Sequence, residues 1–241
     1  MPDRPGHYHR HRFPAEVISH AVLLYYRFPL SHRDVEEMLA YRGITVSYES
    51  IRRWAFLFGD RFAHHLRHRE RKAGSTWHLD EMTVKIAGQT SWLWRAVDES
   101  GLELDILVQE HRDAEAAERF FRRLLDRVDD LPEKIVTDKL ASYGAAKRRV
   151  PELGGTEHLE VKSEDRLNNR VEQAHQPTRL RETRMGRFKS ERQAQRFVSI
   201  FGRFRNHFCP GRHRLTASEY REVMAERRAT WREVTAPGAL T

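Results

Sequence analysis

The chain has 241 residues, 39% of them hydrophobic and 32% charged, with a formal net charge of +8. That is bulk enough for a buried core in one large domain or two smaller ones. Its one cysteine, Cys209, excludes an intrachain disulfide and suits a reducing compartment. No apolar stretch approaches the ~18–20 residues that cross a bilayer, and the N-terminus lacks a signal peptide's apolar core. A cytoplasmic, nucleoid-associated protein with no membrane partner is expected. The charge is unevenly spread: an acidic block over residues 74–138 separates basic blocks over 1–73 and 139–214. Basic blocks of this extent point to a polyanion, and nucleic acid is the usual one.

Residues 1–13, rich in His, Arg and Pro, read as a flexible basic arm. Its spaced histidines (His7, His9, His11) have no cysteine or carboxylate cluster beside them and read as a solvated tail. Pro14 then opens a helix, with Val17, Ala21, Leu24, Tyr25 and Phe28 at helical spacing before Pro29 ends it. Ser31 is placed as an N-cap with Asp34 three residues on. Val35, Met38 and Leu39 form the inner face of this second helix, and Gly43 stops it. Ser47 caps a third helix with Ile51, Trp54, Ala55 and Phe58 facing in. Two short helices about a glycine-containing turn match a helix-turn-helix, whose later helix reads DNA. Its front carries Ser47, Tyr48, Ser50, Arg52 and Arg53, and arginines there suit guanine edges or phosphates. Residues 14–73 are the expected DNA-binding domain, closed by Gly74-Ser75.

Three strands follow, over Thr76–Ile86, Ser91–Val97 and Leu102–Val108, joined by short turns as an antiparallel meander. A helix runs from Asp113 to Val128, then a short strand from Lys134 to Thr137 with Asp138 at its end. A helix over Ala141–Val150, a fifth strand over Glu157–Val161 and basic helices from Asn168 complete the series. A mixed sheet with helices packed on it fits this order, which is also that of the ribonuclease-H-like fold. The expected class is mixed α/β: the helix-turn-helix, a catalytic domain over 74–208 with a five-stranded mixed sheet, and a C-terminal helical tail over 209–241.

The stretch from Thr76 to Ile86 sets an acidic pair, Asp80 and Glu81, into an apolar, β-branched run. A carboxylate in a strand interior is costly unless it is paired or binds a metal. Asp138 and Glu172 are the partners the chain offers, and the three acids fall in the fold's three acidic slots. Three such carboxylates can hold two Mg²⁺ ions, with Mn²⁺ as a substitute, for in-line attack on a phosphodiester. Asp80 and Glu81 point to opposite faces of a strand, so only one is expected in the site, and spacing alone does not choose between them. Arg170, Arg179, Arg181, Arg184 and Lys189 continue a basic stripe for backbone phosphates. Arg179 fits either a role at the scissile phosphate or a plain surface cation, and Pro177 is expected to kink or restart its helix. Trp92 and Trp94 fit base stacking or sheet packing, and Cys209 reads as structural.

Several stretches together resemble the DDE-class bacterial insertion-sequence transposases of the IS-six family. They include the run from Phe28 to Glu37, Trp77-His78-Leu79-Asp80-Glu81, Leu93-Trp94-Arg95-Ala96-Val97-Asp98, Val136-Thr137-Asp138-Lys139, Leu167-Asn168-Asn169-Arg170-Val171-Glu172 and Arg212-His213-Arg214-Leu215. The 33 residues between Asp138 and Glu172 also fit that family's spacing. The resemblance implies a homodimer or larger assembly that binds its element's terminal inverted repeats. It further implies that the protein nicks the 3′ ends with Mg²⁺, joins them to target DNA, and forms replicative cointegrates. In that reading Asp80, Asp138 and Glu172 are the metal triad. A sequence-specific regulator, an inactive remnant and a purely hydrolytic nuclease are the alternatives.

Overall fold

The computed structural model of the chain describes residues 8, 11–138, 140–161, 168–211 and 215–238, without the side chains of Asn169 and Arg170. Most of the basic arm, Lys139, Leu167, the Arg170 side chain and the stretch Arg212-His213-Arg214 therefore lie outside the described residues. The elements run α1 (Ala15–Arg27), α2 (His32–Ala40), α3 (Tyr48–Arg67), β1 (Thr76–Ile86), β2 (Gln89–Asp98), β3 (Glu103–Gln109), α4 (Ala114–Leu125), β4 (Lys134–Asp138), α5 (Ala141–Arg148), β5 (Glu157–Val161), α6 (Asn169–Arg184), α7 (Glu191–Phe208) and α8 (Ala217–Val234). They form two compact units, residues 1–70 with 203–241, and residues 71–202. The stretch 209–241, read from sequence as a separate tail, thus shares a unit with the N-terminal helices.

In the first unit, local chemistry fixes where the helices begin. Ser31 closes a capping box on α2: its hydroxyl accepts from the Asp34 N–H, and the Asp34 carboxylate accepts from the Ser31 N–H at 2.7 Å. Ser47 caps α3 one way only, its hydroxyl accepting from the Ser50 N–H at 3.4 Å. Gly43 turns the chain between them at a φ of 74°. The connection from Tyr41 to Ser47 is longer than the about three or four residues of a tight helix-turn-helix. Glu36 braces it by accepting from the Tyr48 N–H at 3.1 Å. Ile18, Val22, Val35, Ile51 and Phe58 are buried among these helices. Trp231 of α8 meets Phe62 edge-on at 5.1 Å and Phe204 at 5.4 Å, which ties the C-terminal helix into the same core.

The second unit is a five-stranded sheet in the order β3-β2-β1-β4-β5. β1, β2 and β3 form an antiparallel meander, while β4 joins β1, and β5 joins β4, in parallel. This is the ribonuclease-H-like arrangement. The β1–β2 turn puts Ala87 and Gly88 at positive φ, which matches the right-handed twist of the hairpin. At the next turn the buried Asp98 carboxylate accepts from the N–H groups of Gly74, Ser100 and Leu102 and pairs with Arg71. Strand alternation sorts the rest. Trp77, Leu79, Trp94 and Ala96 pack with Phe120, Phe121 and Tyr143 of α4 and α5 in one apolar core. The opposite face presents Asp80 and Arg95 to α6.

α6 continues as one helix through Pro177, against the restart that the sequence allowed. The fully buried Arg95 packs against the helix at this point. Its guanidinium donates to the Ala174 carbonyl and, at 2.7 Å, to Thr178 Oγ1, so it grips the helix on both sides of the proline.

A glycine in a helix interior normally costs about 0.5–1 kcal/mol relative to alanine. Gly59 of α3 is such a residue, and a Cβ there would meet the Tyr26 ring of α1 at 2.8 Å from Oη and 2.9 Å from Cε2. Gly59→Ala should therefore destabilise the protein by about 1–3 kcal/mol, the cost of overpacking, despite the better helix propensity. A urea midpoint raised by this substitution would show that helix propensity outweighs the close approach.

Candidate metal centre and nucleic-acid interface

β1 and β4 pair in parallel with His78 opposite Val136. Two residues further on, beyond that pairing, stand Asp80 and Asp138, which the two-residue alternation brings to matching positions. Carboxylate oxygens of Asp80, Glu81 and Asp138 all lie within 4.8 Å of one another. The site is thus made where β4 parts from β1, while its end stays paired with β5 through Asp138 and Val161. The expectation that only one acid of the pair Asp80-Glu81 reaches the site is corrected here. The two do face opposite helices, with Tyr143 of α5 donating to Glu81 Oε2 at 2.7 Å and His175 of α6 beside Asp80. Yet the longer Glu81 side chain still brings an oxygen into the group.

The two acids differ in how they are satisfied. Glu81 is buried, with one oxygen on the Tyr143 hydroxyl and the other in an ion pair with Arg112. Arg112 also lies 3.5 Å from Asp138 Oδ2, and its guanidinium rests over the Trp92 ring at 4.9 Å. Asp80 is partly open, and Oδ2 lies 3.2 Å from His175 Nε2. Burial pushes the Asp80 carboxyl up to about 6, against the pull of a backbone hydrogen bond and of Arg112, Arg95 and Arg179. Burial likewise raises Glu81 and Asp138, and it raises the Tyr143 hydroxyl packed against them. His175 is held well below the usual histidine range by burial, then by Arg95 and Arg179. Crowded carboxylates with raised pKa values are short of positive charge. An all-oxygen set of this kind fits a hard divalent cation.

Glu172 is exposed in the first turn of α6 and is not part of that close group. Its neighbours on the helix do reach β1. Asn168 Nδ2 donates to the Leu79 carbonyl at 3.0 Å, and His175 stands beside Asp80.

The expected DNA contacts divide similarly. Arg53 is exposed on α3, and Arg52 is exposed but paired with Glu49 at 2.9 Å. Tyr48 lies under the Arg33 guanidinium at 4.5 Å. Ser47 and Ser50 share a 3.1 Å hydroxyl contact at the helix cap. Arg179, Arg184 and Lys189 are exposed. Arg179 joins Lys85, Thr183 and Arg187 around an open groove of about 410 Å³ beside the far end of β1. Arg181 is the exception. It is 1% exposed, with its guanidinium over the Phe197 ring at 5.2 Å, so it belongs to the interior and not to a surface phosphate track. Trp94 is likewise buried among Phe120 and Tyr143.

Sequence reasoning passed over Arg95, Arg112, Tyr143 and His175. Arg95 carried a usable signal, since a charge in the apolar run Trp92–Val97 needs a partner for the same reason that Asp80 does. His175 lies one helical turn beyond Glu172. Arg112, in the connection from β3 to α4, had no pattern to reveal it.

A family model described as a DDE domain matches residues 74–209. The transposase for insertion sequence-like element IS431mec of Staphylococcus aureus is 34% identical over 176 residues, which span 72% of this chain and 77% of that protein. The transposase for insertion sequence element IS257 in transposon Tn4003, also from Staphylococcus aureus, matches with the same identity and coverage. A chain from the crystal structure of the Mos1 Strand Transfer Complex superposes over 98% of this chain and 79% of its own, at 13% identity and a TM-score of 0.43. Fold assignment stands on strand order and direction; kinship stands on the domain match and the staphylococcal relatives. The chain belongs to the DDE transposases of the IS-six family of bacterial insertion sequences.

Proposed function

We propose that this transposase binds the terminal inverted repeats of its element through α2 and α3, nicks their 3′ ends and joins them to target DNA. In this proposal Asp80, Asp138 and Glu172 hold two Mg²⁺ ions, which Mn²⁺ can replace, the DNA-reading domain spans 14–73 and the catalytic domain 74–208. The reading extends to a homodimer or larger assembly on double-stranded DNA and to replicative cointegrates as products.

The observation that carries it is the pairing of Asp80 with Asp138 where β1 and β4 separate. Glu172 is assigned to the same centre because Asn168 and His175, four residues before it and three after, both reach β1 at Leu79 and Asp80. Residues at these spacings share one side of a helix, so α6 turns its Glu172 side toward Asp80. Glu81, already engaged by Tyr143 and Arg112, supports the centre by fixing Arg112 and is not assigned as a ligand.

Divalent cations at such a centre activate the attacking oxygen and stabilise the leaving one. The chain's own groups do the rest. Asp80 and Asp138 supply negative charge at a partly open position. Arg112, half open and beside Asp138, meets the non-bridging oxygens of an incoming phosphate. Arg179, Arg184 and Lys189 neutralise the flanking backbone, which gives affinity without sequence information. Arg53 is the freest cation of the Arg52-Arg53 pair and is assigned to the terminal repeat.

A strand-transfer assay with a labelled terminal-repeat duplex, a plasmid target and Mg²⁺ tests the proposal. Asp138→Asn should lower joined product to the level seen without protein while leaving duplex binding within about twofold; joining retained by this variant would remove Asp138 from the centre. Arg53→Ala should weaken terminal-repeat binding by about tenfold, the lower part of the range for one base contact. Arg184→Ala should lower the slope of log affinity against log salt by about one. An unchanged repeat affinity and an unchanged slope would count against α3 as reader and α6 as track, respectively.

The pH response follows from the raised carboxyls. A proton on Asp80 competes with a cation below about pH 6, so metal affinity must rise with pH. Calorimetric Mn²⁺ titrations should show affinity growing about fourfold between about pH 5.5 and about pH 7.5 from Asp80 alone. Affinity that stays level or falls over that interval would contradict a site built on these acids.

A further inference from the structure

We infer that His175 is a positioning residue that presents an Nε2–H to Asp80, in a tautomer dictated by the buried Arg95. The inference rests on the assignment of Asp80 as a metal ligand and adds how that ligand is oriented. Arg95 Nη1 lies 3.2 Å from His175 Nδ1. A guanidinium has only donors, so Nδ1 must accept. A ring that accepts at Nδ1 is neutral and carries its proton on Nε2. That nitrogen lies 3.2 Å from Asp80 Oδ2. It is fully buried, and among the described residues no acceptor meets it in hydrogen-bond alignment; Asp80 Oδ2, at 3.2 Å, is the oxygen within reach of a small rotation of either side chain.

Two roles commonly given to a histidine beside acids are excluded by this arrangement. A ligand or a general base needs a lone pair directed at the metal or the water, and here the site-facing nitrogen holds a proton. What the ring can do is donate to one oxygen of Asp80. That donation would stop the carboxylate from rotating and fix the direction in which its lone pairs meet a cation. Asp80 and Arg95 are also direct cross-strand partners of β1 and β2. The relay Arg95–His175–Asp80 therefore begins and ends on adjacent strands and passes through α6. Outer groups that orient a metal ligand typically change metal affinity by about 10–100-fold when removed.

The test uses the full chain in two measurements. In long-range ¹H–¹⁵N spectra of histidine-labelled protein, the signal lost in His175→Gln should be that of a neutral Nε2–H ring. A neutral Nδ1–H ring or a doubly protonated one would overturn the inference, and this readout needs no variant to retain activity. In Mn²⁺ titrations, His175→Leu should weaken binding about tenfold or more, whereas His175→Gln, whose amide can donate from the same place, should stay within about threefold of the parent. Equal loss in both variants would mean that packing, and not donation, matters, and would overturn the role. Asp80→Asn is the reference. Weak binding in Asp80→Asn with parental binding in His175→Leu defeats the positioning role alone. Parental binding in Asp80→Asn defeats the metal assignment beneath it.

Discussion

One buried guanidinium, that of Arg95, ties the Asp80 side of the site to α6. It sits on β2 opposite Asp80 of β1, pairs with Glu103 of β3 at 3.1 Å, and donates to Ala174 and Thr178 of α6. Three strands and one helix thus converge on one cation. Removing a partner from a buried ion pair typically costs about 3–5 kcal/mol, because the other charge is left stranded. The same contacts hold α6 on both sides of Pro177 and set His175 beside Asp80. Stability and site geometry are here one set of interactions.

The sheet separates two kinds of acid by its two faces. Toward α4 and α5 lies the large aromatic core, and the acid on that side, Glu81, is fully engaged by Tyr143 and Arg112. Toward α6, Asp80 stays partly open and lies 3.2 Å from His175 Nε2. Adjacent residues on one strand therefore take a supporting and an exposed role without any local difference in chain geometry. Alternation along the strand is sufficient cause.

Much of this was legible in the residues. Capping serines, turn glycines and alternating strands marked nearly every element, since those signals are local. Asp80 and Asp138 were legible because a charge in an apolar strand demands explanation, and topology then pairs them. What the sequence hid was whatever depends on contacts distant in the chain. Arg181 reads as one more cation in a basic helix, and only the Phe197 ring above it shows that it is interior. Pro177 reads as a break, yet the helix continues, with Arg95, some eighty residues earlier, bonded to it on both sides of the proline. Glu81 reads as Asp80's rival, until the reach of its side chain and the Arg112 bridge show how both acids come together.

Arg112 has a consequence for the order in which the molecule matures. By spanning Glu81 and Asp138 it supplies part of the positive charge that the acids lack. Folding itself therefore delivers this partial compensation, and under the proposed function a cation would be added to acids that Arg112 already pairs in part.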